Sequence, residues 1–416
     1  MTNPRPANPI ATDEQARFER AALAVLADPR MQATITDRRA YWLDQAKPSP
    51  AMLQAFEKHY DEVVFGAIIW SLNTDPQRPA VVTITRIPHK LQGVDVPGSR
   101  WGLDNPDSVY RVIPIDGAER YVIRGSVPEP RLTENYFTLW NEHMGTVDVL
   151  DGKELVLDAD GGFEIFVDAD EKGDRANHVR SSPAAVEFYI RDVIADWSRE
   201  RPNVLSIERL GGAPKTPERS FDENVAGAQA MLAKNIDNTM RWNAQALNKD
   251  ANGFDFTIDR DSDGALRNQL YIMGHFDLAD DEALVIDIGL GGAEYFLAPI
   301  TNIWGTTNEI VNRTSSLNLT QSVRNADGGL TYVVSRLDPG VWNWLDPCDM
   351  PEGLLTLRWA EFADGRPGEG FGAVSRVVKL DALNDVLPAD TKRVTAEERK
   401  AQQAERAPTY LWRIEE

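Results

Sequence analysis

The chain has 416 residues, with 44 Lys plus Arg against 65 Asp plus Glu and a formal charge of −21. At roughly 100–200 residues per domain this predicts two or three domains with room for a sizeable core, and the ordinary apolar share of 42% excludes wholesale disorder. So acidic a chain repels polyanions, and its Lys and Arg are interspersed with acids rather than gathered in a stripe, which excludes a nucleic-acid partner.

Cys348 is the single cysteine. Alone it can form neither an intramolecular disulfide nor a cysteine cluster for zinc, which fits a reducing compartment. Met1 to Ile10 is rich in Pro and Asn and lacks the basic region and apolar run of a secretory leader. Val63 to Leu72, the most apolar segment, falls short of the roughly 20 residues a membrane helix needs. The expected location is cytoplasmic, with no membrane partner.

In chain order, residues 1–78 read as a helical segment. Thr12 and Asp13 are N-cap residues, followed by Phe18, Ala21, Ala22, Val25 and Leu26 at helical spacing. Ser49-Pro50 is a second start, and Leu53, Phe56, Tyr60, Val63, Val64, Ala67 and Ile68 form one stripe, read as core packing. Residues 79–210 change to short β runs: Val81–Thr85, Tyr110–Ile115, Arg120–Arg124, Glu164–Val167 and Val186–Ile190, with Asp160-Gly161-Gly162 expected as a hairpin turn. Residues 211–250 read as a linker, Gly211 to Pro217, and a helix from about Asp222 to Leu247, with Ala228, Met231, Leu232, Ile236 and Trp242 on its buried face. Strand patterns resume over 251–380, starting at Phe254. The tail, 381–416, holds a helix start at Thr395 and the aromatics Tyr410 and Trp412, expected to strap onto the body or a neighbouring subunit.

The two β regions repeat each other. Asp160-Gly161-Gly162 and Asp327-Gly328-Gly329 are 167 positions apart, as are Arg191 and Arg358. Asn177 and Asn343 are 166 apart, and Tyr110 and Tyr271, like Asp116 and Asp277, are 161 apart. Several matches in order predict a duplication. The fold class is therefore mainly β: two related antiparallel β-sandwich or jelly-roll units with a helical N-terminal segment and a helical linker.

Within the second unit, Ser316-Leu317-Asn318 with Gln321, Asp327-Gly328-Gly329, Asp338-Pro339-Gly340-Val341-Trp342-Asn343-Trp344-Leu345-Asp346 and Arg358-Trp359, with Leu387-Pro388-Ala389-Asp390 further on, resemble the bacterial domain-of-unknown-function 1214 family. The resemblance covers roughly residues 100–410 and implies paired β-sandwich or jelly-roll domains. Some members are labelled sulfotransferases. That chemistry needs a phosphate cradle where a strand enters a helix. The only Gly-rich candidate, Gly289-Leu290-Gly291-Gly292, runs into the strand-like Glu294–Pro299, so sulfuryl transfer is not expected.

The histidines are His59, His89, His143, His178 and His275. They form no HExxH pair, and no metal is expected. His178 stands beside Asn177 and Arg180, in the loop matching Trp342–Asp346, where it can serve as a general base; the competing reading is a surface histidine. His275 and His143 are weaker candidates to line a site. Cys348 lies between Asp346 and Asp349, which raise a thiol's pKa and disfavour a nucleophile. Asp259-x-Asp261-x-Asp263-Gly264 opens like a calcium loop but has Leu270 where glutamate belongs, so it reads as a turn, as does the acidic loop Asp168 to Asp174. No GxSxG elbow is present. Trp304, Trp342, Trp344 and Trp359 with Asn302, Asn318, Asn343 and Gln321 are either the walls of a ring-binding pocket or a tryptophan-rich core with turn-capping amides.

The expected ligand site is the cleft between the units or the mouth of the second. The expected function is a cofactor-independent hydrolase or lyase acting on a small aromatic, terpenoid-like or glycosylated compound. His178, Arg180, Asp346 and Arg358 are the candidate polar residues, and Trp304, Asn318, Gln321, Trp342, Asn343 and Trp344 the candidate ligand contacts. The alternatives are a non-catalytic binding protein with the same pocket, and an assembly protein that oligomerises through sandwich edges or the tail.

Overall fold

The computed structural model describes residues 8–254 and 269–414. Helices α1 (Asp13–Leu26), α2 (Pro29–Ala46) and α3 (Pro50–Leu72) start where side chains can satisfy free N–H groups: Thr12 accepts from the Gln15 amide and Ser49 from that of Met52. The apolar run Val63–Leu72 is the buried half of α3. No helix among the described residues is long and apolar enough to cross a membrane.

The first unit comprises β1 (Val82–Thr83), a small hairpin of β2 (His89–Leu91) and β3 (Val94–Val96), then β4 (Ser108–Pro114), β5 (Tyr121–Ser126), β6 (Glu134–Asn141), β7 (Thr146–Asp151), β8 (Gly162–Asp168), β9 (His178–Arg180), β10 (Ala185–Val193) and β11 (Val204–Arg209). After α4 (Phe221–Leu247), the second unit comprises β12 (Gln269–Asp277), β13 (Glu282–Gly289), β14 (Ala293–Thr301), β15 (Ser316–Asn318), β16 (Leu330–Val334), β17 (Trp344–Leu345), β18 (Glu352–Phe362) and β19 (Gly372–Lys379). Helix α5 (Ala396–Tyr410) follows.

The sheet orders bear out the duplication. One sheet runs β1-β4-β10-β6-β7 in the first unit and β12-β18-β14-β15 in the second; the other runs β11-β5-β8-β9 and β19-β13-β16-β17. Register agrees as well, since Tyr110 stands opposite Arg191 and Tyr271 opposite Arg358. Asn177 donates to the Val156 and Glu164 carbonyls and accepts from the Val156 amide; Asn343 does the same with Val323 and Thr331. Each asparagine ties a loop to a strand that would otherwise leave buried backbone groups unpaired.

Two expectations need correction. The Asp-Gly-Gly turns do not join paired strands: β8 pairs with β5 and β9, and β16 with β13 and β17, so each turn starts a strand rather than closing a hairpin. Gly161 and Gly328 sit at φ +79° and +88°, where a side chain would be strained. Nor are the sheets wholly antiparallel. β9 runs parallel to β8 and β17 to β16, because the long asparagine-pinned loops bring the chain back in the same direction.

Each sandwich has its own apolar core, around Ile123, Phe137 and Phe188 in the first unit and Phe296, Leu357 and Trp359 in the second. The linker helix α4 is not peripheral. A capping box between Ser220 and Glu223 starts it, and Val225, Ala228, Leu232 and Ile236 enter one core with α1 and α3, while Ala246 packs with Leu354 of the second unit. The tail straps onto its own body. Arg399 reaches Asp338 at 2.9 Å, Arg406 the Ile310 carbonyl at 2.9 Å and Arg413 the Pro106 carbonyl at 2.7 Å, and Tyr410 meets Trp197 edge-on.

Candidate functional site

The structure scatters most of the sequence-predicted site residues. His178 lies on edge strand β9, its Nε2 3.1 Å from Asp168, which also binds Arg175 at 2.7 Å. Arg180 is exposed and pairs with Glu171. Asp346 is buried: burial raises its pKa, and Arg313 opposes this through bonds of 2.6 and 2.8 Å. It also caps the Cys348 amide, so it locks a loop. Only Arg358, of these four, lies between the units.

Among the described residues the four tryptophans fit the reading as core and bracing side chains, for a simple reason. A buried indole N–H needs an acceptor, and each finds a carbonyl in a different segment: Trp304 at Met52, Trp342 at Gln321, Trp344 at Ser335 and Trp359 at Gly289, all within 3.1 Å. These rings brace separate strands and do not face one space. Asn318 is buried against Asp107 and the Ala195 carbonyl, Asn343 holds its loop, and Gln321 accepts from the Asn318 amide. His275 bonds the Ala246 carbonyl and His143 is exposed. The calcium-like run at Asp259 lies outside the described residues.

One concavity lies on the second unit, and another lies between α3 and residues of both units. A groove of about 1330 Å³ runs over the turns at Gly289–Gly292, Asp327–Gly329 and Gly370; its Asp287 and Arg376 bind each other at 2.6 Å. A recess of about 430 Å³ is lined by Lys58, His59, Glu62, Arg100, Asn308 and Cys348. There burial alone would raise Glu62, but Arg100, bound at 2.6 and 2.7 Å, outweighs it and holds the carboxyl at about 2. Burial and then Asp346 push the Cys348 thiol up to about 12, which leaves no thiolate for chemistry at neutral pH.

The richer site lies where the units meet. Alternation along β6 sends Phe137 and Leu139 into the sandwich and Glu134, Tyr136, Thr138 and Trp140 to the other face. The same holds for Tyr189 and Arg191 on β10, and for Tyr271 and Arg358 on β12 and β18. These equivalent faces pack together. Arg191 Nη1 donates to Tyr271 Oη at 3.3 Å, Tyr271 Oη to Gln269 Oε1, and Gln269 Nε2 to Glu134 Oε1. Tyr136 donates to Glu361, and the Arg358 guanidinium lies 5.2 Å over the Tyr271 ring and donates to the Leu103 carbonyl.

Several buried polar atoms in this layer have no hydrogen-bond partner among the described residues: Glu134 Oε2, Arg191 Nε, Arg358 Nε, Thr138 Oγ1 and Thr356 Oγ1. Glu134 is 2% exposed. Burial pushes its carboxyl up to about 8, with Glu361 and Asp107 adding to the shift and Arg191 and Arg358 opposing it. At neutral pH it is mostly a neutral acid. Tyr271, at the edge of this layer, is 38% exposed. Beside the arginines runs an aromatic belt: Trp140 stacks on Tyr189 at 4.0 Å, Tyr189 meets Trp70 at 5.9 Å, Trp70 meets Trp101 at 5.7 Å and Trp101 meets Trp242 at 5.1 Å. Sequence reasoning marked Arg191, Tyr110 and Tyr271 as repeat positions and missed Glu134 and Gln269. The available signal was a glutamate alternating with Tyr136, Thr138 and Trp140 along β6.

No family model matches the chain, and no curated protein matches it. An uncharacterized protein from Burkholderia cenocepacia is similar in structure, at a TM-score of 0.74 and 23% identity, over 87% of this chain and all of its own; that likeness concerns the fold. The VPA0106 protein from Vibrio parahaemolyticus aligns over 67% of this chain and 90% of its own at a TM-score of 0.43 and 15% identity.

Proposed function

We propose that the protein is a cofactor-independent enzyme, a hydrolase or lyase, that holds a small organic anion with a flat apolar body between its two units. One observation carries this: the buried acid Glu134 lies in one layer with two guanidiniums, and its Oε2 and their Nε atoms have no hydrogen-bond partner among the described residues. Arginine N–H groups recognise a carboxylate or similar anion. The belt from Trp140 to Trp242 offers ring faces to an aromatic or terpenoid-like body. An acid with a pKa near the working pH is what proton transfer requires. The single reduced-form cysteine and acidic charge fit a cytoplasmic setting, and the motif from Asp338 to Asp346 favours the domain-of-unknown-function 1214 family.

The test is calorimetric titration of the whole chain with phenylacetate at pH 7. Binding to the wild type that weakens at least tenfold in Arg191→Met/Arg358→Met supports the reading. No binding, or equal binding by the folded double variant, overturns it. A carboxylate panel then separates enzyme from carrier. Turnover lost in Glu134→Gln favours catalysis, and binding without turnover leaves the non-catalytic binding protein.

A further inference from the structure

Four residues from both units form a hydrogen-bond chain with a fixed direction. Arg191 can only donate, so Tyr271 Oη accepts from it at 3.3 Å. The tyrosine hydrogen then goes to Gln269 Oε1. That sets the amide, whose Nε2 donates to Glu134 Oε1. Oε1 is therefore the accepting oxygen, and the acid hydrogen belongs on Oε2, which has no acceptor among the described residues. The chain starts at a cation and ends at a donor with nothing to receive it. A buried donor left unpaired is costly, so the arrangement suits a partner that arrives with the ligand.

Resting on the proposed anion site, we infer that the ligand carries a neutral oxygen acceptor beside its anionic group, as in a 2-oxo or 2-hydroxy carboxylic acid, and that Glu134 Oε2 donates to that oxygen while Arg191 and Arg358 take the carboxylate. Glu134 is the specificity-determining residue for the oxygen. Gln269 and Tyr271 are positioning residues, since they act only by orienting the acid. The charged and titratable groups facing Glu134 are Arg191 on β10, Arg358 and Glu361 on β18, Asp107 before β4, Tyr136 on β6 and Tyr295 on β14, with Tyr271 linked through Gln269 on β12. Two of these are cations that favour loss of the proton; burial, Glu361 and Asp107 favour keeping it.

The experiment compares phenylacetate, which lacks the acceptor, with phenylpyruvate and mandelate, which carry it, by calorimetric titration of the whole chain. Wild type binds the two oxygenated acids about tenfold more tightly, the worth of one good hydrogen bond. Glu134→Gln, which can still donate, keeps most of that advantage. Glu134→Leu reduces it below about twofold. A second measurement needs no variant: the wild-type advantage shrinks between pH 7 and pH 10 as the acid proton is lost. If phenylacetate binds as well as the oxygenated acids, or the advantage survives in folded Glu134→Leu or at pH 10, the inference fails and the anion site stands. If none of the three binds, the anion site itself falls.

Discussion

The two units share a register and differ in what fills it. Asn177 and Asn343 bind equivalent carbonyls and amides. One position further on, His178 and Trp344 fill the same slot on β9 and β17, opposite Phe166 and Val333. His178 bonds Asp168, and the Trp344 indole bonds the Ser335 carbonyl; Asp168 and Ser335 are themselves equivalent. One slot thus closes with a histidine hydrogen-bonded to a carboxylate and the other with an indole under Arg399 at 5.0 Å. The difference lies at a sheet edge and is a matter of bracing. The cleft works the other way: Tyr110–Arg191 and Tyr271–Arg358 are chemically alike, and their likeness matters because the two faces meet.

The largest effect should come from position 134, where one unit has an acid and the other the phenol of Tyr295. The folded-state pKa of about 8 lies above the ordinary 4.5, so between those values the folded chain holds a proton that the unfolded chain releases. That contribution is whole below pH 4.5 and is lost as pH rises through 8. Glu134→Gln removes the titration. Relative to wild type it should gain about 4 kcal/mol between pH 5 and pH 9, in urea unfolding at both pH values. A flat difference would mean the acid is not held neutral.

Next is Trp344→Ala, which empties a buried indole site and should cost about 4 kcal/mol in the same assay. Asn177→Ala and Asn343→Ala each strip three backbone partners and should each cost about 3 kcal/mol. Costs that differ between them by more than about 1.5 kcal/mol would break the equivalence of the units. His178→Ala should be the mildest, at about 1 kcal/mol, because its carboxylate keeps Arg175. If it costs as much as Trp344→Ala, the two slots are not alternative braces of one kind.

Much of the fold was legible because duplication writes register into spacing. The equal offsets of Asp160/Asp327 and Arg191/Arg358 translate directly into equivalent strands. The parallel pairs β8–β9 and β16–β17 were not legible, since alternation is the same for either strand direction. The site was legible in part. The repeat marked Arg191 and Arg358, which the structure places between the units, but composition could not sort the tryptophans, because indoles that brace strands and indoles that wall a pocket have the same composition. Glu134 carried no repeat signal at all: its equivalent is Tyr295, which bonds Asp107 at 2.9 Å.

That last substitution bears on symmetry. Two identical units joined through this face would carry every side chain in duplicate, and an acid at this position would confront its own image among paired cations. Covalent fusion of the copies lifts that constraint. Position 134 keeps the acid while position 295 carries a phenol, so the duplicated face bears its acid in one copy only. A ligand in the proposed site would be read from one side only and held in one orientation.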